Sequence, residues 1–237
     1  MKISNKAILF SSHFKVFRGA LALAALSLSS LSASENALKN PGFEEMVVPP
    51  NSLTRCFQAE KEETIPTGWT SAFQGNKSFT YCINGNPVSA DFASDPNSGD
   101  QYLMLMAWDA KLPSSNFIQQ DSELKWADLS VGDKLEVSFY MTYRPELESG
   151  DVSVWLNDGF NNSMLKHTWA AAELQERGVI GAWQEFKWTH TVTQSDLDAA
   201  NANSWGLVRM GIGLENSQIN VPCQIAIDDV SLKAATP

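Results

Sequence analysis

From Lys134 to Arg144 apolar and polar residues alternate: Leu135, Val137, Phe139 and Met141 fall on one side, and Glu136, Ser138, Tyr140 and Thr142 on the other. Such a period of two marks a strand with one face in a core and one in water. Short segments of strand character recur at 69–73, 77–83, 101–108, 116–120, 151–157, 183–192, 207–215 and 224–232. Turn signals stand between them, among them Asn84-Gly85-Asn86-Pro87, Leu129 to Asp133, and Asn157-Asp158-Gly159. Two segments predict helix: Thr168–Arg177, rich in Ala and Glu and stopped by Gly178, and Ser195–Asn201, with Ser195 as its cap. Nine or ten short strands with at most two helical turns and no βαβ alternation predict an all-β sandwich. Gly211 and Gly213 inside one strand pattern predict a close backbone approach or a bulge.

The last strand breaks its own pattern. Ile225, Ile227, Asp229 and Ser231 share one face by alternation, whereas Asp228 interrupts the other, between Ala226 and Val230. One of the two acids therefore points inward, or a bulge re-aims it. A buried carboxylate is costly unless a cation or several donors meet it. The Asp228-Asp229 pair is thus a candidate metal site.

Composition narrows the setting. Residues 1–34 read as a secretory signal: Lys2, Lys6, Lys15 and Arg18, then an apolar run from Gly19 to Leu28, then Ser32-Ala33-Ser34 before Glu35. The expected location is secreted, periplasmic or cell-surface, and residues 35–237 form one domain. Without that segment 13 Lys+Arg face 27 Asp+Glu, a net charge of −14. Such a surface repels nucleic acid and anionic membranes and suits neutral ligands and divalent cations. Export permits a disulfide. Among Cys56, Cys82 and Cys223, the pair Cys56–Cys82 is expected, with Cys82–Cys223 as its rival. A zinc template and a Gly-x-Ser-x-Gly elbow are both absent from the sequence.

Five motifs in order carry a resemblance. They are Asn40-Pro41-Gly42-Phe43-Glu44, Pro66-Thr67-Gly68-Trp69, Ser98 to Leu103, Trp183-Gln184, and Ile227 to Leu232. Together they resemble the galactose-binding-like jelly rolls, especially the carbohydrate-binding modules of families 4, 9 and 22. The resemblance spans nearly the whole chain after the leader, with extra length at 46–66 and 159–182. It implies a jelly-roll β-sandwich, a poly- or oligosaccharide partner and a structural calcium ion joining the first and last strands. Glu44 and Asp228 would supply carboxylates to that ion, and the loop at Ser98-Gly99-Asp100 would add carbonyls.

Sugars are held by aromatic faces and by polar side chains that read hydroxyls. Trp155 on the polar side of its strand, Trp108 and Tyr143-Arg144 at strand ends, and Gln119 or Gln120 are the candidate contacts, with Gln120 preferred. Trp69 and Trp183 read as core. The expectation is an exported, monomeric, non-catalytic carbohydrate-binding protein. A structural or adhesion jelly roll is the alternative, and a polysaccharide hydrolase or lyase ranks third.

Overall fold

The computed structural model describes residues 35–45, 66–74, 78–84, 97–99, 101–107, 114–143, 150–157, 165–177, 182–216 and 223–235. Ten strands run in chain order: β1 Thr70–Gln74, β2 Ser78–Asn84, β3 Gln101–Ala107, β4 Ser114–Lys125, β5 Lys134–Tyr143, β6 Gly150–Leu156, β7 Lys166–Trp169, β8 Gln184–Thr191, β9 Leu207–Asn216 and β10 Cys223–Ala235. Helix α1 spans Ala171–Glu176, and α2 spans Gln194–Ala202. The strands form two antiparallel five-stranded sheets, ordered β1-β4-β9-β6-β7 and β2-β3-β10-β5-β8. Apart from the consecutive pairs β2–β3 and β6–β7, neighbours in each sheet are not consecutive in sequence, as in a jelly roll.

Alternation places the core between the sheets. Ile118, Val152, Val154, Leu156, Met210, Ile212 and Leu214 of the first sheet meet Leu103, Leu105, Leu135, Val137, Phe139, Met141, Phe186, Ile225 and Ile227 of the second. Each of these is essentially out of water. At 20–33 cal/mol per Å² of apolar area removed from water, this interlayer is the main favourable term in the fold.

Three elements depart from the sequence expectation. β4 is longer than 116–120, because two inward polar residues in its Gln119 to Glu123 run have partners: Ser122 donates to the Val208 carbonyl at 2.7 Å and Gln120 is bonded as described below. The expected helix at 168–177 is split, with β7 ending at Trp169 and α1 beginning at Ala171. Trp169 is pulled into the sheet register opposite Val152 and packs edge-on against Phe139 and Phe186. Helix α2 is capped by Thr193 and not by Ser195: Asp196 N–H bonds the Thr193 hydroxyl oxygen, and Thr193 N–H bonds Asp196 Oδ2 at 2.8 Å. Asp196 Oδ2 also meets His190 Nε2 at 2.9 Å. Burial pushes the Asp196 carboxyl up, but the Thr193 and His190 contacts outweigh it and hold it below its ordinary range.

The first two resemblance motifs, Asn40 to Glu44 and Pro66 to Trp69, form one latch. Asn40 adopts positive φ (46°), and its amide holds the Glu45 N–H at 2.9 Å and the Glu45 and Thr67 carbonyls. The turn drops Phe43 into the core against Trp69, 5.4 Å between ring centres, and Trp69 Nε1 donates to the Asn40 carbonyl. Further up, the Ala37 N–H bonds the Leu232 carbonyl of β10, while the Ala37 carbonyl accepts from Glu123 N–H of β4. The segment thus bridges one strand of each sheet. Trp69 packs inside as expected, whereas Trp183 is only half-buried and lies edge-on against Tyr102 in a small separate cluster with Met104 and Ala226.

Candidate functional site

The face of the β1-β4-β9-β6-β7 sheet turned away from the core carries the unusual chemistry. Its centre is a lane without side chains on β9, at Gly211 and Gly213. Strand pairing sets Trp155 of β6 opposite Gly211 and Phe117 of β4 opposite Gly213. The Trp155 indole lies along this lane, in the space where Cβ atoms of both glycines would stand. The Phe117 ring meets it edge-on, 5.2 Å between centres and 83° between planes. The paired glycines in the sequence therefore mark a close approach, but of a side chain and not of another backbone.

Polar pairs flank this aromatic floor. Lys166 Nζ and Glu215 Oε1 form a partly buried ion pair at 2.6 Å. Ser153 and Thr168 share a hydroxyl hydrogen bond of 2.8 Å. At the far end Arg209 Nε donates to Asp121 Oδ1 at 2.7 Å and Arg209 Nη2 to Asp121 Oδ2 at 3.4 Å. This second pair is open to water, at 46% and 48% side-chain exposure.

Beside that pair lies a cleft of about 310 Å³, lined by Asp121, Asn157, Ser204, Trp205, Gly206, Leu207 and Arg209. Its walls are built by the turn that ends α2. Ser204 takes positive φ (55°), and the Trp205 N–H reaches back to the Ala200 carbonyl. That presents the indole against Trp126, 5.8 Å between ring centres. Asn157, also at positive φ (48°), accepts from Trp126 Nε1 at 2.7 Å and from Arg209 N–H at 3.2 Å. Leu207 is an exposed large hydrophobic residue at 39%. The cleft therefore offers an aromatic and aliphatic wall, an ion pair at its mouth and a locked amide.

The expected contacts are placed differently. Trp155 does stand on the polar side of its strand, but at 1% exposure it is a buried floor and not an open platform. Gln120 points the other way. It is 3% exposed, accepts from Lys39 N–H at 2.6 Å and donates to the Lys39 carbonyl at 3.0 Å, so it clasps the first segment and cannot serve as a ligand contact. Gly68, at φ 86°, leaves room for that amide. Trp108, Arg144, Asp100 and Cys56 lie outside the described residues, as do the leader and the side chains of Tyr143 and Cys82. Of the cleft residues, sequence reasoning selected none. The available signal was Arg209 two positions before the Gly-x-Gly lane, on the same strand face.

The acid pair of β10 is resolved by a bulge. Pairing with β5 shifts between Asp228 and Ser231, and Asp229 takes positive φ (49°). The extra residue returns Val230 and Leu232 to the core. Asp228 is left at 0% exposure, accepting N–H bonds from Asn97 (3.0 Å), Ser98 (3.1 Å) and Asp229 (2.8 Å). Burial, opposed by the Ser98 N–H and aided by the charge of Asp229, pushes its carboxyl up to about 7. The ion pairs among the described residues do not include it.

Of the four expected calcium ligands, Asp100 lies outside the described residues, while Ser98 N–H bonds Asp228 Oδ2 at 3.1 Å and Glu44 approaches Gly42 beside Asp228. Glu44 Oε1 accepts from Gln101 N–H at 3.1 Å, and Ser98 donates its hydroxyl to Asp229 at 2.6 Å. Among the described residues no three His, Cys, Asp or Glu side chains gather. Asp228 and Asp229 do bring their Oδ1 atoms to the same side of Gly42. Two carboxylates of that kind fit a hard cation only if backbone carbonyls complete the shell.

No protein-family model matches the chain, and no curated protein matches it. Solved structures do share its fold. A Stig cyclase, Fisc, from Fischerella sp. TAU, in complex with (3Z)-3-(1-methyl-2-pyrrolidinylidene)-3H-indole, is 15% identical over 86% of this chain and 98% of its own, with a TM-score of 0.53. A second cyclase structure from Fischerella sp. TAU, in complex with 4-(1H-indol-3-yl)butan-2-one, is 14% identical over 84% and 96%, with a TM-score of 0.53. The module TmCBM61 in complex with beta-1,4-galactotriose is 15% identical over 85% and 100%, at 0.45. The chain is a β-sandwich jelly roll. The expectation of a non-catalytic domain is corrected by the cyclases: chains of nearly the same extent and the same fold catalyse reactions, so neither fold nor size excludes an enzyme.

Proposed function

We propose that the protein is an exported carbohydrate-binding protein that holds its glycan in the cleft of Trp205, Leu207, Asp121, Arg209 and Asn157. One observation supports this above the others: Trp205 and Leu207 line the same small cleft as a half-exposed Arg–Asp pair. Sugars present a C–H face and a hydroxyl edge together, and this cleft offers a counterpart to each. The Trp155 floor stiffens β9 behind it. A calcium ion between Asp228 and Asp229 is part of the proposal, with a role in joining the termini.

The test is depletion of the protein by a panel of soluble and insoluble polysaccharides. One class should deplete it, and Trp205→Ala should weaken that binding about tenfold, the scale of one lost aromatic contact. Lys187→Ala, on an exposed face elsewhere, should not. Absence of depletion across the panel, with the protein folded, sinks the reading.

A second reading has the same cleft take a small aromatic ligand against Trp205 and Leu207, as the volume of about 310 Å³ allows. The cyclases solved with indole-bearing ligands share this fold. Quenching of tryptophan emission by indole compounds, without depletion by glycans, would select it.

A further inference from the structure

Resting on the glycan reading, we infer that the Asp121–Arg209 pair sets what the cleft selects: the terminal, uncharged sugar of a chain, recognised by two neighbouring hydroxyls, with acidic sugars rejected.

Size comes first. At about 310 Å³ the cleft sits at the small end of ligand pockets, which run from roughly 300 to 1,000 Å³. It takes a ring or little more, which suits a chain end and not an extended run of sugars.

Charge comes next. Arg209 spends Nε and one Nη2 hydrogen on Asp121 and keeps Nη1 and the other Nη2 hydrogen as donors. Asp121 spends one lone pair on each oxygen and keeps acceptor capacity. The pair therefore shows donors and acceptors side by side and is neutral as a unit. Two adjacent hydroxyls match it: one accepts from the guanidinium, the other donates to the carboxylate. A uronic acid carboxylate matches only half. Its charge is attracted by Arg209 but repelled by Asp121, which already occupies the guanidinium fork that would grip a carboxylate bidentately. The acidic surface of the whole chain adds to the rejection.

Substitution of Asp121 should therefore change selectivity and not merely strength. In Asp121→Asn the fork is released, and a net positive charge faces the ligand. The pair is half-exposed, so its loss should leave the fold nearly as stable.

The experiment is calorimetric titration of the protein, its Asp121→Asn variant and its Arg209→Ala variant with matched neutral and uronic trisaccharides, galactotriose and trigalacturonate among them. The expected result for the unsubstituted protein is binding of at least one neutral trisaccharide, with its uronate at least tenfold weaker. Asp121→Asn should reduce that ratio tenfold or more by gaining affinity for the uronate. Arg209→Ala should weaken neutral binding and gain nothing for the uronate. Neutral binding with an unchanged ratio in Asp121→Asn overturns this inference and leaves the glycan reading standing. No binding of any trisaccharide or of the polysaccharide panel overturns both.

Discussion

Asp228 offers the sharpest test of how the termini are joined. Its carboxyl is at 0% exposure, and its three close donors are uncharged N–H groups. Folding therefore favours its neutral form and raises its pKa from 3.8 to about 7. A raised carboxyl pKa stabilises the fold fully below the unfolded value, and that stability is lost as pH climbs to the folded value. The window runs from about 3.8 to about 7, and the displacement is worth on the order of 4 kcal/mol in metal-free protein. For a domain of this size that corresponds to roughly 8–16 °C in Tm. Asp228→Asn removes the titration. It keeps an oxygen for the Asn97 and Ser98 N–H groups and loses the bond to Asp229 N–H. With chelator present, the difference in Tm between the protein and this variant should move in the variant's favour as pH rises from 4 to 8. Calcium should reverse that trend above pH 6 in the unsubstituted protein alone, because the ion binds the anionic form. The assay is thermal unfolding in chelator and in calcium across this range. A difference independent of pH in chelator would refute the account of an uncompensated buried carboxylate. A reversal that fails to appear would refute the calcium ion.

Two further outcomes follow from the packing. Gly211→Ala places a methyl group inside the Trp155 ring, which is fully buried, so overpacking should cost about 1–3 kcal/mol and shift the tryptophan emission; an unchanged denaturation midpoint would show that the indole is not held in the lane. Gln120→Ala strips the Lys39 N–H and carbonyl of their partner and should cost about 1–3 kcal/mol, or roughly 2–12 °C in Tm by thermal unfolding; no loss would mean that the first segment is held without this clasp.

Residues with a strict period announced themselves in the sequence. Strand β5 appears where Leu135, Val137, Phe139 and Met141 alternate, and the interruption at Asp228-Asp229 correctly signalled either a buried acid or a bulge. The structure has both. What failed were positions decided by partners far away in sequence. Gln120 reads as a surface residue until Lys39, 81 positions earlier, is known to lie against it. Trp155 reads as exposed because nothing local shows that β9 supplies a bare lane beneath it. The last two residues of β7, Thr168 and Trp169, read as helix because Ala- and Glu-rich sequence follows them directly, and only the pairing of Trp169 with Val152 overrides that propensity. The cleft was illegible for the same reason. It joins Asp121, Asn157 and the Trp205–Arg209 segment from three separate parts of the chain.

The polar groups of this molecule divide by how dearly they hold their partners. Gln120 and Asp196 are buried and bond backbone N–H or carbonyl groups, and losing such a bond leaves a buried polar group unsatisfied. These residues fix the fold and are poor at exchanging partners. Lys166 and Glu215 are intermediate, a partly buried pair beside the aromatic floor. Asp121 and Arg209 lie at the other extreme. Their exposed pair contributes at most about 1 kcal/mol to stability, so a ligand hydroxyl can take over part of either side chain at small cost. Binding is favoured where rearranging polar contacts is cheap and an apolar wall stands ready. On the face of the β1-β4-β9-β6-β7 sheet, the mouth of the Trp205 cleft meets both conditions, whereas the larger and more aromatic surface at Trp155 and Phe117 is already buried.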